Sequence, residues 1–185
     1  MSALWILLVV GLVLVYAGLL FNRLVRLRNL AREGWSGIDV QLRRRADLVP
    51  NLVEAVKGYA AHERGLFEEV AARRAGSAAA SGVTGQAAAE RALSASVGRL
   101  MALAENYPGL KADQNFLKLQ GELAEIEDQL QMARRYYNGT ARNLNIRVES
   151  FPDTIVARIF GFREQPYFEL DDRAAAAAPQ VEFSR

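Results

Sequence analysis

The feature that most constrains this chain is an uncharged, almost entirely apolar run of 19 residues, Ala3 to Phe21. At about 1.5 Å per residue, this run as a helix is roughly 28 Å long, close to the thickness of a bilayer core. A buried soluble helix is rarely apolar on every face. A cleaved signal peptide is the other alternative, but no basic residue precedes the run and no A-x-A site follows it. The sequence therefore predicts a retained transmembrane anchor over residues 1–22.

The charges that flank the anchor predict its orientation. No charged side chain precedes residue 22, whereas four arginines follow closely with one acidic neighbour, Glu33. By the positive-inside rule, the N-terminus lies outside and the rest of the chain is cytoplasmic. The same arginines are candidate contacts for anionic lipid headgroups, with a purely topological role as the alternative. They are Arg23, Arg26, Arg28 and Arg32.

The distribution of charge argues against nucleic-acid binding. The chain carries a net charge of +2, but residues 22–45 hold seven arginines and two acids, a net of +5. The remaining residues 46–185 therefore carry a net charge of −3. The basic segment is a juxtamembrane stalk over residues 23–45, and its expected partner is lipid. The absence of cysteine excludes disulfides, iron–sulfur clusters and thiolate zinc sites.

Helical periodicity dominates the chain after the anchor, and strand signals are weak throughout. Two apolar seams keep spacings of three and four residues, which is typical of helices that pack on one another. Pro152 ends the longer seam, and an N-Y-P-G turn at 106–109 ends the shorter one. An all-α helical bundle is therefore predicted. The seams comprise Leu93, Val97, Leu100, Ala104 and Tyr107, then Phe116, Leu119, Leu123, Ile126, Leu130, Ala133, Tyr137, Ala141, Leu144, Val148 and Phe151.

A third apolar pattern runs out of the membrane and predicts a long element from residue 3 to about 73. Pro50 removes one helical hydrogen bond, so we expect a kink or a break near 46–50. Asp47 is a candidate cap for a fresh helix there, and residues 36–39, S-G-I-D, are a candidate capping box.

The remaining segments are assigned by composition. Small residues at 75–85, A-G-S-A-A-A-S-G-V-T-G, predict a flexible loop. A short helix is expected over 153–160. The tail over 163–185 contains five consecutive alanines followed by a proline, and we expect it to be mostly disordered.

No recognisable catalytic, cofactor-binding or metal-binding set is present. His62 is the single histidine, and Leu66 stands where a zinc protease motif needs a second imidazole. No nucleophile elbow and no glycine-rich phosphate loop occurs. The acidic cluster of Glu122, Glu125, Glu127 and Asp128 lacks the histidines of a di-metal bundle and is predicted to be a solvated face.

Two further groups are candidate interaction sites. Gly11 and Gly18 lie seven apart in the anchor and are candidates for helix self-association, which would make the protein a homo-oligomer. A polar stretch farther along, in which Arg43 and Asp47 can pair at i and i+4, is a candidate partner patch, with a solvated face as the alternative. The patch comprises Arg43, Arg44, Arg45, Asp47, Asn51 and Glu54.

Several ordered motifs resemble one known family. They are F-N-R-L-V at 21–25, W-S-G-I-D-V-Q-L-R-R-R-A-D-L-V-P-N-L-V-E at 35–54, E-N-Y-P at 105–108, Y-N at 137–138, F-P at 151–152 and F-G-F at 160–162. In these motifs and their order, the chain resembles the LemA family of bacterial membrane proteins. It departs from the family pattern at Gly34, where alanine is usual, at Leu144, where tyrosine is usual, and at Ile126 and Asp128.

The resemblance implies one transmembrane helix followed by an antiparallel four-helix bundle over residues 23–162, in a bacterial inner membrane. It implies no catalytic residues, and the family's biochemical role is largely undefined. Some relatives are associated with membrane-organelle formation, and others are encoded near membrane metalloproteases.

Two functions are therefore weighed. The first is a membrane-anchored interaction or scaffold module at the cytoplasmic face, not an enzyme, with an unknown membrane or cytoplasmic protein partner. The second is an enzyme, or an accessory subunit of a membrane protease, that uses a polar site near Asp47, Asn51 and Glu54. An enclosed polar pocket around those three residues would favour the second.

Overall fold

A computed structural model describes residues 2–169, and these residues form helices with no strand among them. The all-α prediction is confirmed, while the four-helix arrangement stays a prediction. The helices are α1 (Ser2–Lys57), α2 (Arg64–Ala79), α3 (Gly82–Ala104), α4 (Pro108–Lys111), α5 (Gln114–Glu149) and α6 (Asp153–Ile159).

Helix α1 continues without a break through Pro50 and ends at Lys57. The predictions of a break near 46–50 and of fresh helix starts at Ser36 or Asp47 are therefore wrong, as is an element that reaches residue 73, while a kink near 46–50 stays a prediction. An interior proline costs roughly 3 kcal/mol. Val49 and Leu52 on either side are 1% and 0% exposed, and burying each side chain contributes roughly 1.5–3 kcal/mol. Burial of the flanking residues thus offsets the lost hydrogen bond.

The predicted loop at 75–85 is also wrong, because α2 extends through Ala79 and α3 begins at Gly82. Alanine is the best helix former, so this alanine-rich stretch favours helix although its residues are small. Ser77 is buried and donates a hydrogen bond to the carboxylate of Glu90 in α3. The connection between α2 and α3 is therefore only two residues long. Gly82, which follows it, has a φ of +72°, a backbone conformation that is strained for any residue with a side chain.

The described residues form two compact units, the first of which comprises residues 2–48 and 118–168. Within it, α1 and α5 run antiparallel, since Trp35 contacts Tyr137 and Arg45 contacts Glu127 farther back along α5. Gly34 permits a close approach here: a Cβ on it would lie 3.0 Å from the Cα of Tyr137. The α5 seam is buried at Ile126, Leu130, Tyr137, Ala141 and Leu144, but Phe151 is 80% exposed and leaves it.

Among the described residues, the second unit comprises residues 49–117 together with Glu169. Helices α2 and α3 form an antiparallel hairpin, in which Arg99 of α3 binds Glu69 of α2. The buried α3 positions include four residues of the predicted seam, and Tyr107 is half-buried. Asp113 caps α5 by accepting hydrogen bonds from the backbone N–H groups of Asn115 and Phe116, at 2.9 and 3.0 Å. The turn predicted at 106–109 is confirmed, because α3 ends at Ala104 and α4 begins at Pro108.

After α6, which confirms the short helix expected at 153–160, residues 163–169 form a segment without helix or strand that we call the strap. Phe168 of the strap is completely buried, and its ring packs edge-on against Trp35 at 5.7 Å between centroids. The prediction of a mostly disordered tail is wrong for these residues. Its remainder, residues 170–185, lies outside the described residues.

Two asparagines of α5 hold the strap by pairing their amides with its backbone. Asn145 accepts a hydrogen bond from the N–H of Gln165 at 2.8 Å and donates one to its carbonyl at 2.9 Å. Asn138 makes the same pair with Phe168, at 2.9 and 3.2 Å. The two asparagines are seven residues apart and so lie on one face of the helix. This asparagine clamp satisfies backbone groups of a segment that belongs to no sheet.

Tyr137 adds a third attachment, and its ionisation should make stability depend on pH. Its hydroxyl donates a 2.8 Å hydrogen bond to the carbonyl of Pro166, and burial raises its pKa from 10.0 to about 12. Above pH 10 the unfolded chain loses this proton while the folded chain keeps it, so stability falls by up to about 1.4 kcal/mol per pH unit until about pH 12. Below pH 10 this contribution is fully present.

We expect Tyr137→Phe to lose about 1 kcal/mol at neutral pH through the missing hydrogen bond, and to show a weaker decline in alkali. Unfolding followed by circular dichroism in detergent micelles, at about pH 9 and about pH 11, measures both effects. An equally steep alkaline decline in Tyr137→Phe would assign the pH dependence to other groups.

Candidate functional site

A groove in the second unit is a well-formed concave surface among the residues described. It lies between the end of α1 and the first part of α2 and has a volume of about 510 Å³. Its floor is apolar and its rim is charged. The floor consists of Val49, Pro50, Val53, Phe67 and Ala71, and the rim of Glu54, Lys57, Arg64, Glu68 and Arg74.

The local sequence explains why this groove is apolar and open. The end of α1 buries Leu52 and Val56 completely, while Val53 lies beside that seam and is only partly covered. Pro50 contributes an exposed ring, which has no N–H and is tolerated because its neighbours are buried. In this part of α1, the apolar stripe is therefore wider than the area that the other residues of the second unit cover.

The rim carries charges of both signs. Lys57 and Glu54 form an exposed ion pair at 2.8 Å, one turn apart. Arg64, Glu68 and Arg74 complete the rim on α2. Such a surface suits an apolar segment with flanking charges. Among residues 2–169 no cluster of three histidine, aspartate or glutamate side chains could hold a metal ion.

The partner patch predicted from sequence is only partly assembled. Arg43 pairs with Asp39 at 2.8 Å, and the predicted Arg43–Asp47 pair stays a prediction. Arg45 is 8% exposed and lies 3.4 Å from Glu127, which removes it from the patch because it faces the interior of its unit. Arg44 is exposed and donates a hydrogen bond to Gln41 at 3.3 Å.

The three polar residues of the enzyme alternative are not enclosed. Asp47, Asn51 and Glu54 are all exposed on α1. Of the three, only Glu54 lines the groove, at its rim. Because all three side chains are exposed, they do not form the enclosed polar pocket that would favour an enzyme.

The juxtamembrane arginines divide into two kinds. Arg23, Arg26 and Arg32 are exposed. Arg28 instead lies over the ring of Phe162, 4.8 Å from its centroid, and is half-buried. Lipid contact therefore stays a prediction for the three exposed arginines, whereas Arg28 is occupied within the protein by a cation–π contact.

The other sequence candidates occupy open surfaces. The side chain of His62 is 71% exposed, and its Nε2 lies 3.4 Å from the hydroxyl of Tyr107. Gly11 and Gly18 have open space where a Cβ would be added. Self-association of the anchor through these glycines stays a prediction.

Sequence reasoning missed the groove and the asparagine clamp. The signal for the groove was Val53, which lies beside the seam of Leu52 and Val56 and widens the apolar stripe of α1. The signal for the clamp was a pair of polar residues, Asn138 and Asn145, at heptad spacing beside an apolar seam. Nothing in the sequence says which segment they bind.

The fold and these surfaces define a membrane-associated helical protein. Helix α1 contains a stretch long and apolar enough to cross a membrane. Its residues within that stretch are largely exposed, for example Leu4 at 73% and Leu14 at 67%. Exposure of these apolar side chains to water would be energetically unfavourable, so a lipid environment accounts for their position on the surface.

Comparison with known proteins specifies the class further. The model of the LemA family matches residues 34–183, and the chain belongs to this family. It is similar to Magnetosome protein MamQ 2 and Magnetosome protein MamQ 1 of Paramagnetospirillum magneticum, each 27% identical over 90% of this chain and 72% of the relative. Magnetosome protein MamQ of Magnetospirillum gryphiswaldense is 25% identical over 80% of this chain and 64% of that protein.

Proposed function

We propose that this protein is a membrane-anchored interaction module whose groove binds an apolar segment of a protein partner. The observation that carries the proposal is the groove itself, an apolar floor about 510 Å³ in volume beneath a rim of mixed charge. Apolar floors provide binding energy, and charged rims provide orientation and specificity. A helix with an apolar stripe is the kind of segment that such grooves accept.

The placement of the module is part of the same proposal. Helix α1 anchors the chain once in a bacterial inner membrane, with the residues after the anchor in the cytoplasm. The arginines that follow the apolar run support this orientation. The relatives are named magnetosome proteins, and this supports a role in a membrane-associated assembly. By this likeness, we infer that the present protein also acts in such an assembly.

A crosslinking pair on α2 tests the groove. Ala71 lines the groove, whereas the neighbouring Ala72 is exposed on the same helix and lies outside it. A photoreactive amino acid at residue 71 should give a discrete adduct in intact cells, and the same group at residue 72 should not. The two positions are neighbours on one helix, and only residue 71 lines the groove. A partner that is merely nearby would label both positions, whereas a partner bound in the groove would label residue 71 alone.

A second variant shows whether the adduct depends on the apolar floor. Val53→Glu places a charge in the floor, and burying it unpaired against a partner is costly. We expect the residue-71 adduct to fall at least about tenfold in this variant, which corresponds to 1.4 kcal/mol of lost binding. Equal adducts at residues 71 and 72, or an adduct unaffected by Val53→Glu, would contradict groove binding.

A further inference from the structure

Four large apolar side chains at the corner between α5 and the strap are exposed, and we call them the corner face. Ile155 and Ile159 are four residues apart in α6, so they lie on one side of that helix. Phe151 precedes the helix and Phe160 follows it. Their exposed fractions are 80% for Phe151, 51% for Ile155, 72% for Ile159 and 57% for Phe160.

The opposite side of α6 is fixed to the protein. Val156 and Ala157 are buried in one apolar cluster with Leu20, Leu24 and Leu144. Asp153, at the start of α6, is also buried and faces Arg147 at 3.8 Å. The corner face is therefore held in a defined direction and is not a frayed end.

The position of the corner along α1 identifies what covers it. The ring of Phe160 lies 4.8 Å from the ring of Phe21, and Phe162 lies 5.8 Å from it. Phe21 is the last residue of the uncharged run, where the anchor leaves the hydrocarbon core. Leu24 is three residues farther on, about 4.5 Å along the helix axis. The corner is thus packed against the part of α1 that lies in the interfacial layer of a bilayer.

The charges around the corner agree with an anionic membrane surface. Arg158 on α6 and Arg163 in the strap are exposed, as are Arg23 and Arg26 on α1. Glu149 and Glu164 are exposed as well and reduce, but do not cancel, the positive charge. Apolar side chains flanked by arginines are typical of helices that lie in a membrane interface.

We propose that the corner face inserts into the bilayer interface next to the anchor, so that the first unit contacts the membrane at two places. This inference rests on the membrane anchoring in the proposed function. It adds a second, non-spanning contact, which would restrict how the unit tilts on its stalk. The bilayer is the occupant because the face is continuous with the anchor through Phe21 and Phe160.

The lack of cysteine in this chain makes a depth measurement direct. Single cysteines in the full chain, labelled with bimane and reconstituted in vesicles of equal amounts of phosphatidylcholine and phosphatidylglycerol, report contact with brominated lipids. The test position is Ile159→Cys. Val9→Cys in the anchor is the positive control, and Met132→Cys, exposed on α5 and far from the corner along that helix, is the negative control.

We expect bimane at residue 159 to lose at least about half as much emission as bimane at residue 9, and bimane at residue 132 to lose almost none. Adding Ile155→Asp should reduce the quenching at residue 159 several-fold, since the charge resists entry into the interface. Because Ile155 is exposed, this substitution leaves the folded unit intact.

The possible failures are distinguishable. Quenching at residue 9 without quenching at residue 159 overturns the corner proposal and leaves the anchor in place. Absence of quenching at both positions overturns the membrane anchoring itself. A label at residue 159 that is shielded from aqueous iodide but not quenched by lipid would show a protein on this face and would also overturn the proposal.

Discussion

Replacing Gly34 with leucine is expected to destabilise the first unit by about 3 kcal/mol, because the site is already in contact with backbone. A Cβ at this position would lie 3.0 Å from the Cα of Tyr137, 3.2 Å from the ring of Tyr136 and 3.3 Å from the hydroxyl of Thr140. The first of these atoms belongs to a helix backbone, so α1 and α5 must separate to admit a larger side chain.

Gly37 provides a matched control one turn away on the same helix. The nearest atom to a Cβ there is the Cβ of Ala133, at 3.9 Å, and Gly37 is exposed. We expect Gly37→Leu to be neutral or to stabilise by up to about 1 kcal/mol through better helix propensity. Denaturant unfolding followed by circular dichroism in micelles measures both variants. If the two leucine variants were equally stable, α1 and α5 would be able to separate at residue 34 at little energetic cost. That result would contradict the prediction.

The change in the free energy of unfolding caused by Gly34→Ala is expected to lie between the changes caused by Gly34→Leu and Gly37→Leu. The higher helix propensity of alanine gains about 1 kcal/mol, while its Cβ requires a shift of a few tenths of an ångström. We therefore expect Gly34→Ala to lower the free energy of unfolding by less than Gly34→Leu does.

Loss of the asparagine clamp is expected to release the strap. Asn145→Ala removes two hydrogen bonds to Gln165 and leaves its N–H and carbonyl without those partners. At about 1 kcal/mol for each bond, local opening of the strap should become about thirtyfold more frequent. The double variant with Asn138→Ala also removes both bonds to Phe168 and should abolish protection of the strap.

Hydrogen exchange of a peptide covering residues 163–169 measures this opening. Asn143→Ala is the control, since Asn143 lies two residues from Asn145 on α5 and its side chain is exposed. We expect its exchange to match that of the parent protein. If Asn145→Ala exchanged at the parent rate too, burial of Phe168 against Trp35 would be sufficient to hold the strap.

Release of the strap would also uncover Tyr137 and Trp35, which the strap contacts through Pro166 and Phe168. Exposing apolar aromatic surface beside a membrane invites non-specific association. The clamp therefore contributes to solubility of the first unit as well as to its stability.

Local rules predicted the helices and the turns at 106–109 and 151–152 well, but predicted interruptions at Pro50 and at 75–85 that the structure does not have. The seams of α3 and α5 were legible because apolar residues recur every three or four positions, and nearly all of them are buried or half-buried. Pro50 and the alanine-rich stretch at 75–85 were misread, since each was judged without knowing how its neighbours are buried. The same limit applies to Arg45, which looked like surface charge and lies inside beside Glu127.

By itself, the sequence determined the long apolar N-terminal stretch, the helical class and the family, because length, periodicity and long ordered motifs are local properties of the chain. Only the tertiary structure decided what lies at the surface. It placed Val53 in an open groove, left Phe160 exposed beside Phe21, and paired Asn145 with the backbone of Gln165. These outcomes depend on which distant segment covers each side chain, and that is settled by packing, which residue spacing does not encode.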